Sequence, residues 1–412
     1  MWSDDTELAF TPLLPEFARS PYPFYAALRS RPGLTYFPDF DIWLASRYAD
    51  VTTLVNDRSL VRSLDGFASP DELAAARRAG NWHDMPHHQR FVQFSLLDSD
   101  GPVHDRLRRL VFALFTPVMI DRLREQIAAL VDSLLDRVMD RREIEFVGEL
   151  ASELPGHIIG RLLGVPDEDC PRLRVWSENI VQFFDIDRSD ERKQRAETST
   201  TEFYRYLLAL KSERERRPRE DLISSLIAAE RSGALSEDET VSTCMLILMA
   251  GHGSTIDVLG TGLHSLLRAP DQMARLRGDA KLIRTAIPEM FRFESPLPFF
   301  HRHATQEIHL EGQTFAPGTK FGLLYASANR DPAQFDNPDS FDICRSPNRH
   351  LAFGGGAHFC LGNHLARLDM ELFFTRLLQR FQKIELIDAE PPYKRGLSVR
   401  GPLRLPIALI PR

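Results

Sequence analysis

The sequence predicts a mainly α fold with a small β portion, built as one domain over residues 1–412. Three observations carry that expectation. Apolar residues recur at helical spacing through the middle of the chain, strand-like runs are short, and no linker, repeat or low-complexity stretch divides the sequence. The composition, 43% hydrophobic and 26% charged, suits a chain that buries a large core rather than one that stays disordered. A formal net charge of −7 offers no basic face for nucleic acid.

Taken in order, Ile42–Ala45 reads as a strand. Residues 62–98, with Gly66, Pro70, Gly80 and Pro86, are the least regular part, and a long irregular segment in a compact domain points to a functional one. Over residues 118–140, Val118, Ile120, Leu123, Ile127, Leu130, Val131, Leu134 and Leu135 fall on one stripe of an amphipathic helix. Ser236 and Glu239 form a capping-box pattern that opens a helix over 236–269, which Pro270 ends. At the α-helical rise this helix is roughly 48 Å long, enough to cross a whole domain. Ile308–Leu310 and Lys320–Tyr325 read as strands, and the Pro- and Gly-rich stretch from Pro391 to Pro411 as turns and short strands.

Nothing resembles a secretory signal or a membrane span, and Asp4, Asp5 and Glu7 precede any apolar run, so a cytoplasmic protein is expected. Cys170, Cys244, Cys344 and Cys360 match no zinc or redox spacing, and free thiols are expected. His83, His87 and His88 read as part of a polar loop, and Asp185, Asp187 and Asp190 lack the glycine and terminal glutamate of a calcium loop.

The chemistry concentrates in Phe353-Gly354-Gly355-Gly356-Ala357-His358-Phe359-Cys360-Leu361-Gly362. Three glycines permit a tight turn and close approach to a flat cofactor. The amphipathic run after Gly362 places Cys360 at a helix N-terminus, where the dipole and free N–H groups favour a thiolate. This segment resembles the haem-binding loop of the cytochrome P450 family at every position that defines it. The resemblance extends from about Asp100 to the C-terminus. It implies a triangular haem domain over 1–412, with 353–362 as the cysteine loop, 236–269 as the oxygen-activating helix and 62–98 covering the substrate. Haem b is then ligated by Cys360, and a thiolate ligand promotes O–O cleavage.

Further segments match in order. Glu289 and Arg292 sit at i and i+3, and the resemblance implies a buried structural cluster that Arg345 joins. His104 and Arg108 lie one helical turn apart; with Arg302 and His358 they are implied to bind the haem propionates, while Phe353, Gly354 and Gly362 shape the cofactor loop. Ala250, Gly251, Gly253 and Ser254 fall where the long helix passes over the haem. Two glycines inside a helix cost about 1 kcal/mol each relative to alanine, which points to a close approach or a local kink.

Two adjacent positions depart from the family. An acid and then a threonine usually stand where this chain has Gly253 and Ser254, and together they relay protons to bound dioxygen. Ser254 keeps a hydroxyl, whereas Gly253 transfers no proton. Three readings stay open: substrate groups or ordered water replace the acid; the chemistry is less ordinary, such as peroxide-driven oxidation, radical coupling or attack on a carrier-bound substrate; or the chain binds haem but activates oxygen poorly. A non-catalytic haem-binding sensor or carrier is the reading from a different class. The expected reaction is insertion of one oxygen atom from O2 into an apolar or aromatic small molecule, by hydroxylation or O-dealkylation. Phe91, Phe94, Phe183, Phe184, Met249, Leu297, Phe299 and Phe300 are expected around the substrate. The chain holds no flavin or iron–sulfur module. NAD(P)H-derived electrons are therefore expected from a separate ferredoxin and ferredoxin reductase, docking on a monomer near Arg106, Arg109, Arg349 and Arg367.

Overall fold

The computed structural model describes residues 11–412; the acidic segment Met1–Phe10 lies outside the described residues. The helix Glu237–Arg268 is the axis of the molecule. Ser236 caps it: its side chain accepts from Glu239 N at 3.2 Å while Glu239 Oε2 accepts from Ser236 N at 2.8 Å, so the predicted capping box forms. Helices Glu153–Leu163, Cys170–Phe183, Asp190–Arg216 and Leu222–Arg231 pack along one side of it, and Ile283–Phe293 and Asn363–Arg380 along another. The largest apolar cluster forms around this axis, from Val241 to Leu266. By length and composition this helix could cross a membrane, contrary to the sequence expectation of no such segment, but most of its apolar window is buried inside the protein.

A five-stranded sheet flanks the helices in the order Thr35–Phe37, Ile42–Ala45, Lys320–Leu324, Phe299–Ala304, Leu60–Val61. Only the pair Ile42–Ala45 and Lys320–Leu324 is parallel. A smaller apolar cluster lies beneath it, including Val51, Leu54, Phe321 and Tyr325. The C-terminal strand Pro406–Pro411 pairs with both Glu143–Glu145 and Phe381–Leu386, which ties the end of the chain to the helical body.

Two element expectations change. Residues 62–98 are not irregular throughout, because helices Pro70–Ala79 and Pro86–Gln93 form within them. Ser69, Pro70 and Glu72 make a second capping box, and Gly80 ends the helix that it starts. The helix expected over 118–140 is two, Pro117–Asp121 and Arg124–Asp136, and Val118 leaves the buried stripe to stand 68% exposed.

Candidate active site

A cavity of about 1080 Å³ lies between the long helix and the cysteine loop. Phe353, Gly354, His358, Phe359, Cys360 and Gly362 line one wall; Leu246, Met249, Ala250, Gly251, Gly253 and Ser254 line the other.

The loop is held by its own backbone and by its neighbours. Cys360 N donates to Phe353 O at 3.0 Å, and Asn363 Nδ2 donates to Cys360 O at 2.9 Å. The following helix begins at Asn363, three residues after Cys360. Gly356 has φ +62°, and a Cβ there would overlap the carbonyl of Val55; one at Gly355 would meet Val55 Cγ1 at 2.9 Å. Those two glycines therefore serve close packing of the loop on the helix Tyr48–Asn56 rather than approach to a cofactor. Phe353 turns inward against Phe291, with ring centroids 4.6 Å apart, and the Arg367 guanidinium sits 4.7 Å from its ring centre.

Burial pushes the Cys360 thiol up; the Gly362 N–H and the Arg108 and Arg367 charges pull it down. A backbone N–H of the loop and two guanidinium charges, one from the helix Gly101–Phe112 and one from the helix Asn363–Arg380, thus act on the sulfur.

Beside the cysteine is a cluster of histidine and arginine side chains. His104 and His358 rings lie 4.5 Å apart, and His104 Nε2 is buried with no hydrogen-bond partner. His358 Nε2 lies 3.0 Å from Asp100 Oδ1. Arg302 is 4% exposed; its guanidinium donates to His301 O at 2.8 Å and has no carboxylate partner among the described residues. Burial, with the like charge of Arg62, lowers it to about 10. A buried arginine without a counter-ion next to an orphaned imidazole is a donor set for an anion. Arg108 also lines the cavity but donates to Phe359 O at 2.5 Å, so it braces the cysteine loop. A flat macrocycle with carboxylates at its edge would be held there by Arg302 and His104, and a metal at its centre would be ligated by the Cys360 sulfur.

The Glu289 cluster lies behind the loop. Arg292 donates to both Glu289 oxygens at 2.7 Å, and Arg345 Nε reaches them at 3.2 and 3.3 Å. Asn348 Nδ2 and Asp342 N complete the carboxylate, while Arg292 also satisfies the carbonyls of Asn329, Pro338 and Ser340. Glu289 and Arg292 are fully buried and every charge is bonded, so the ion pair fixes the 337–348 segment that leads into the cysteine loop.

The sequence model of the Cytochrome P450 family matches residues 176–405. A biotin biosynthesis cytochrome P450 of Bacillus subtilis is 33% identical over 395 residues, covering 95% of this chain and 97% of the relative. The crystal structure of the myxobacterial cytochrome P450 CYP267B1 in complex with myristic acid superimposes with a TM-score of 0.89 at 36% identity, covering 96% and 98% of the two chains. That of P450BioI with a hexadec-9Z-enoic acid-ligated acyl carrier protein has a TM-score of 0.88 at 32% identity, covering 96% and 99%.

The chain is a cytochrome P450. It is a haem monooxygenase that uses haem b, dioxygen and reducing equivalents. Bound haem supplies the oxygen-activating chemistry, and the protein supplies position and protons.

In this P450 the two helix glycines differ. A Cβ at Gly251 would meet Ile159 Cγ1 at 2.5 Å, so that glycine lets the helix Glu153–Leu163 approach. At Gly253 a Cβ would meet nothing within 4 Å, so the missing acid leaves open space in the cavity. The helix continues through both without a break. Ser254 Oγ donates back to Ala250 O at 3.0 Å.

Of the aromatic residues expected at the substrate, Phe184, Phe299 and Phe300 line the cavity with Met249 and Leu297. Phe91, Phe94 and Phe183 do not. Phe91 is fully buried in the main core, because the helix Pro86–Gln93 turns it inward. Phe183 packs with Met85, Ala196 and Trp82, one position out of phase with Phe184. Phe94 lines a separate cavity of about 470 Å³ with Leu107 and Glu239. The histidine and aspartate groups are structural: His87 Nδ1 lies 3.0 Å from Glu197, and Asp185 accepts the backbone N–H groups of Ile186, Leu397 and Ser398. Residues without a local sequence signal also enter the site. Arg62 pairs with Asp98 at 3.1 Å, lies 5.2 Å from the Phe300 ring centre and lines the cavity.

Proposed function

We propose that this P450 inserts one oxygen atom from O2 into an apolar small molecule, by hydroxylation or O-dealkylation, with electrons from a separate ferredoxin and ferredoxin reductase in the cytoplasm. The observation that carries this reading is the lining of the cavity. Leu297, Phe299, Phe184 and Val399 line it half-buried, whereas Arg19, Gln182 and Arg395 line it exposed. A mostly apolar lining with a few exposed polar groups fits a substrate with a hydrocarbon body and a polar end. In the same reading Cys360 would ligate the haem iron, and His104, Arg302 and His358 would hold the propionates, with Arg108 adding charge to that side while it braces the cysteine loop.

The deciding experiment is an optical titration of the haem-loaded ferric protein with fatty acids, methoxyarenes, aromatic acids, terpenoids and polyketide-like compounds. A shift toward high spin followed by oxygenated product supports the proposal; a protein that shifts with none of them and yields no product counts against a free apolar substrate. A carrier-tethered substrate is the second reading. It draws support from Arg19 and Arg395, exposed at the mouth with no carboxylate partner among the described residues, and from the acyl carrier protein that one solved relative binds.

The docking face for the ferredoxin is proposed on Arg109, Arg349 and Arg367. Arg106 leaves this set, because it pairs with Glu239 at 2.5 Å. Neutralising Arg109 and Arg349 together is expected to slow reduction by a surrogate ferredoxin, more at low than at high ionic strength, in stopped-flow measurements.

A further inference from the structure

Ala250, Gly253, Ser254 and Asp257 stand at i, i+3, i+4 and i+7 on the long helix, one stripe of its surface, and all four line the cavity. Asp257 is 1% exposed. Its Oδ1 accepts from Lys394 Nζ at 2.7 Å, and its Oδ2 is buried with no partner. Lys394 also lines the cavity, and its side chain is 25% exposed. The chain from 393 to 402 folds over the carboxylate: Lys394 N donates to Gly401 O at 3.0 Å, and a Cβ at Gly401 would overlap Asp257. Glu178 and Arg174, paired at 2.9 Å on the helix Cys170–Phe183, border the same space.

We propose that Asp257 and Lys394 take over the task of the acid absent at Gly253. They pass protons from solvent to Ser254, one turn back along the helix. The inference rests on the oxygenase reading above. The overall reaction RH + O2 + 2 e− + 2 H+ → ROH + H2O needs two protons, and the ferredoxin supplies both electrons. Each relay step moves a proton alone. The Asp257 carboxylic acid gives its proton to Ser254 Oγ, directly or through one water, as the Ser254 O–H gives its own to the oxygen being reduced. The carboxylate is reprotonated from the Lys394 ammonium, which recovers a proton from solvent. The resting bond from Ser254 to Ala250 O occupies the hydroxyl's donor and leaves its lone pairs free to accept. Burial raises the Asp257 carboxyl above the ordinary range, Lys394 opposes the rise, and Glu178 adds to it. A salt bridge that only tethered the C-terminal segment would not require a buried carboxylate oxygen without a partner on a residue that lines the cavity.

The test uses the haem-loaded protein and the variants Asp257→Asn, Asp257→Glu and Lys394→Met. Infrared difference spectra across the titration should contain a protonated-carboxyl band that Asp257→Asn removes and Lys394→Met shifts. With surrogate ferredoxin, its reductase and NADPH, Asp257→Asn and Lys394→Met should slow dioxygen consumption about tenfold or more and change its solvent deuterium isotope effect, with Asp257→Glu restoring both. Sulfoxidation of thioanisole by iodosylbenzene, an oxygen donor that needs no delivered proton, should be unchanged. Variants that keep native dioxygen consumption, or lose the iodosylbenzene reaction equally, overturn the relay in favour of a structural tether. A native protein that neither consumes dioxygen nor sulfoxidises thioanisole overturns the oxygenase reading itself, and the relay with it.

Discussion

Gly253 carries no acid, and the space around it makes the consequence testable. A Cβ there meets nothing, so a larger side chain enters the cavity rather than the core. Gly253→Glu is expected to fold and to leave the share of electrons that reach product over hydrogen peroxide near the native value, because Asp257 and Lys394 already do the acid's work. Peroxide yield per NADPH consumed measures it; a clear fall in that yield would mean that the acid's absence is not compensated. Gly251 behaves oppositely. Alanine is favoured over glycine by about 1 kcal/mol in a helix interior, but at this site the added methyl would press on Ile159 at 2.5 Å, and overpacking typically costs about 1–3 kcal/mol. Gly251→Ala is therefore expected to lower stability in urea denaturation, and a gain in stability would show that the two helices can part cheaply.

At the scale of elements, the cysteine loop depends on groups outside the site. Glu289 satisfies Arg292, Arg345, Asn348 and the backbone of Asp342 from one buried carboxylate. Glu289→Gln leaves two guanidinium groups without their counter-charge. Removing one partner of a buried pair costs about 3–5 kcal/mol, so this change is expected to lower the melting temperature and weaken haem retention together. The long helix is set by signals at both ends, Ser236 with Glu239 and Pro270, and those were readable as spacing. The same device at Ser69-Pro70-Asp71-Glu72 was equally present, yet the surrounding glycines and prolines masked it.

For the whole molecule, acid is the expected route to unfolding. Burial holds His88 and His350 near 3 and His252 and His303 near 4, all below the usual histidine value of 6.5. Between about pH 6.5 and 4 these side chains stay neutral in the fold while an unfolded chain takes up protons. Stability is therefore fully present above pH 6.5 and falls as the pH drops through that window. Urea midpoints measured from pH 7 to pH 4.5 should decline steadily, and midpoints that held level would show that the histidines protonate without unfolding.

The sequence by itself determined the helical class, the long axial helix and the cysteine loop with its glycines, because helical periodicity, caps and a restrictive contiguous motif are local properties of the chain. It also showed that Gly253 carries no acid. Only the tertiary structure decided which of two adjacent residues faces the cavity, as with Phe183 and Phe184, since one residue along a helix rotates a side chain by about 100° and neighbouring packing fixes the phase. It alone brought Arg62 to Arg302, and Lys394 to Asp257, 137 positions apart in the chain. Such pairs leave no spacing to read, because the charges meet through the packing of a sheet edge or a C-terminal turn on a helix whose own sequence does not encode the partner.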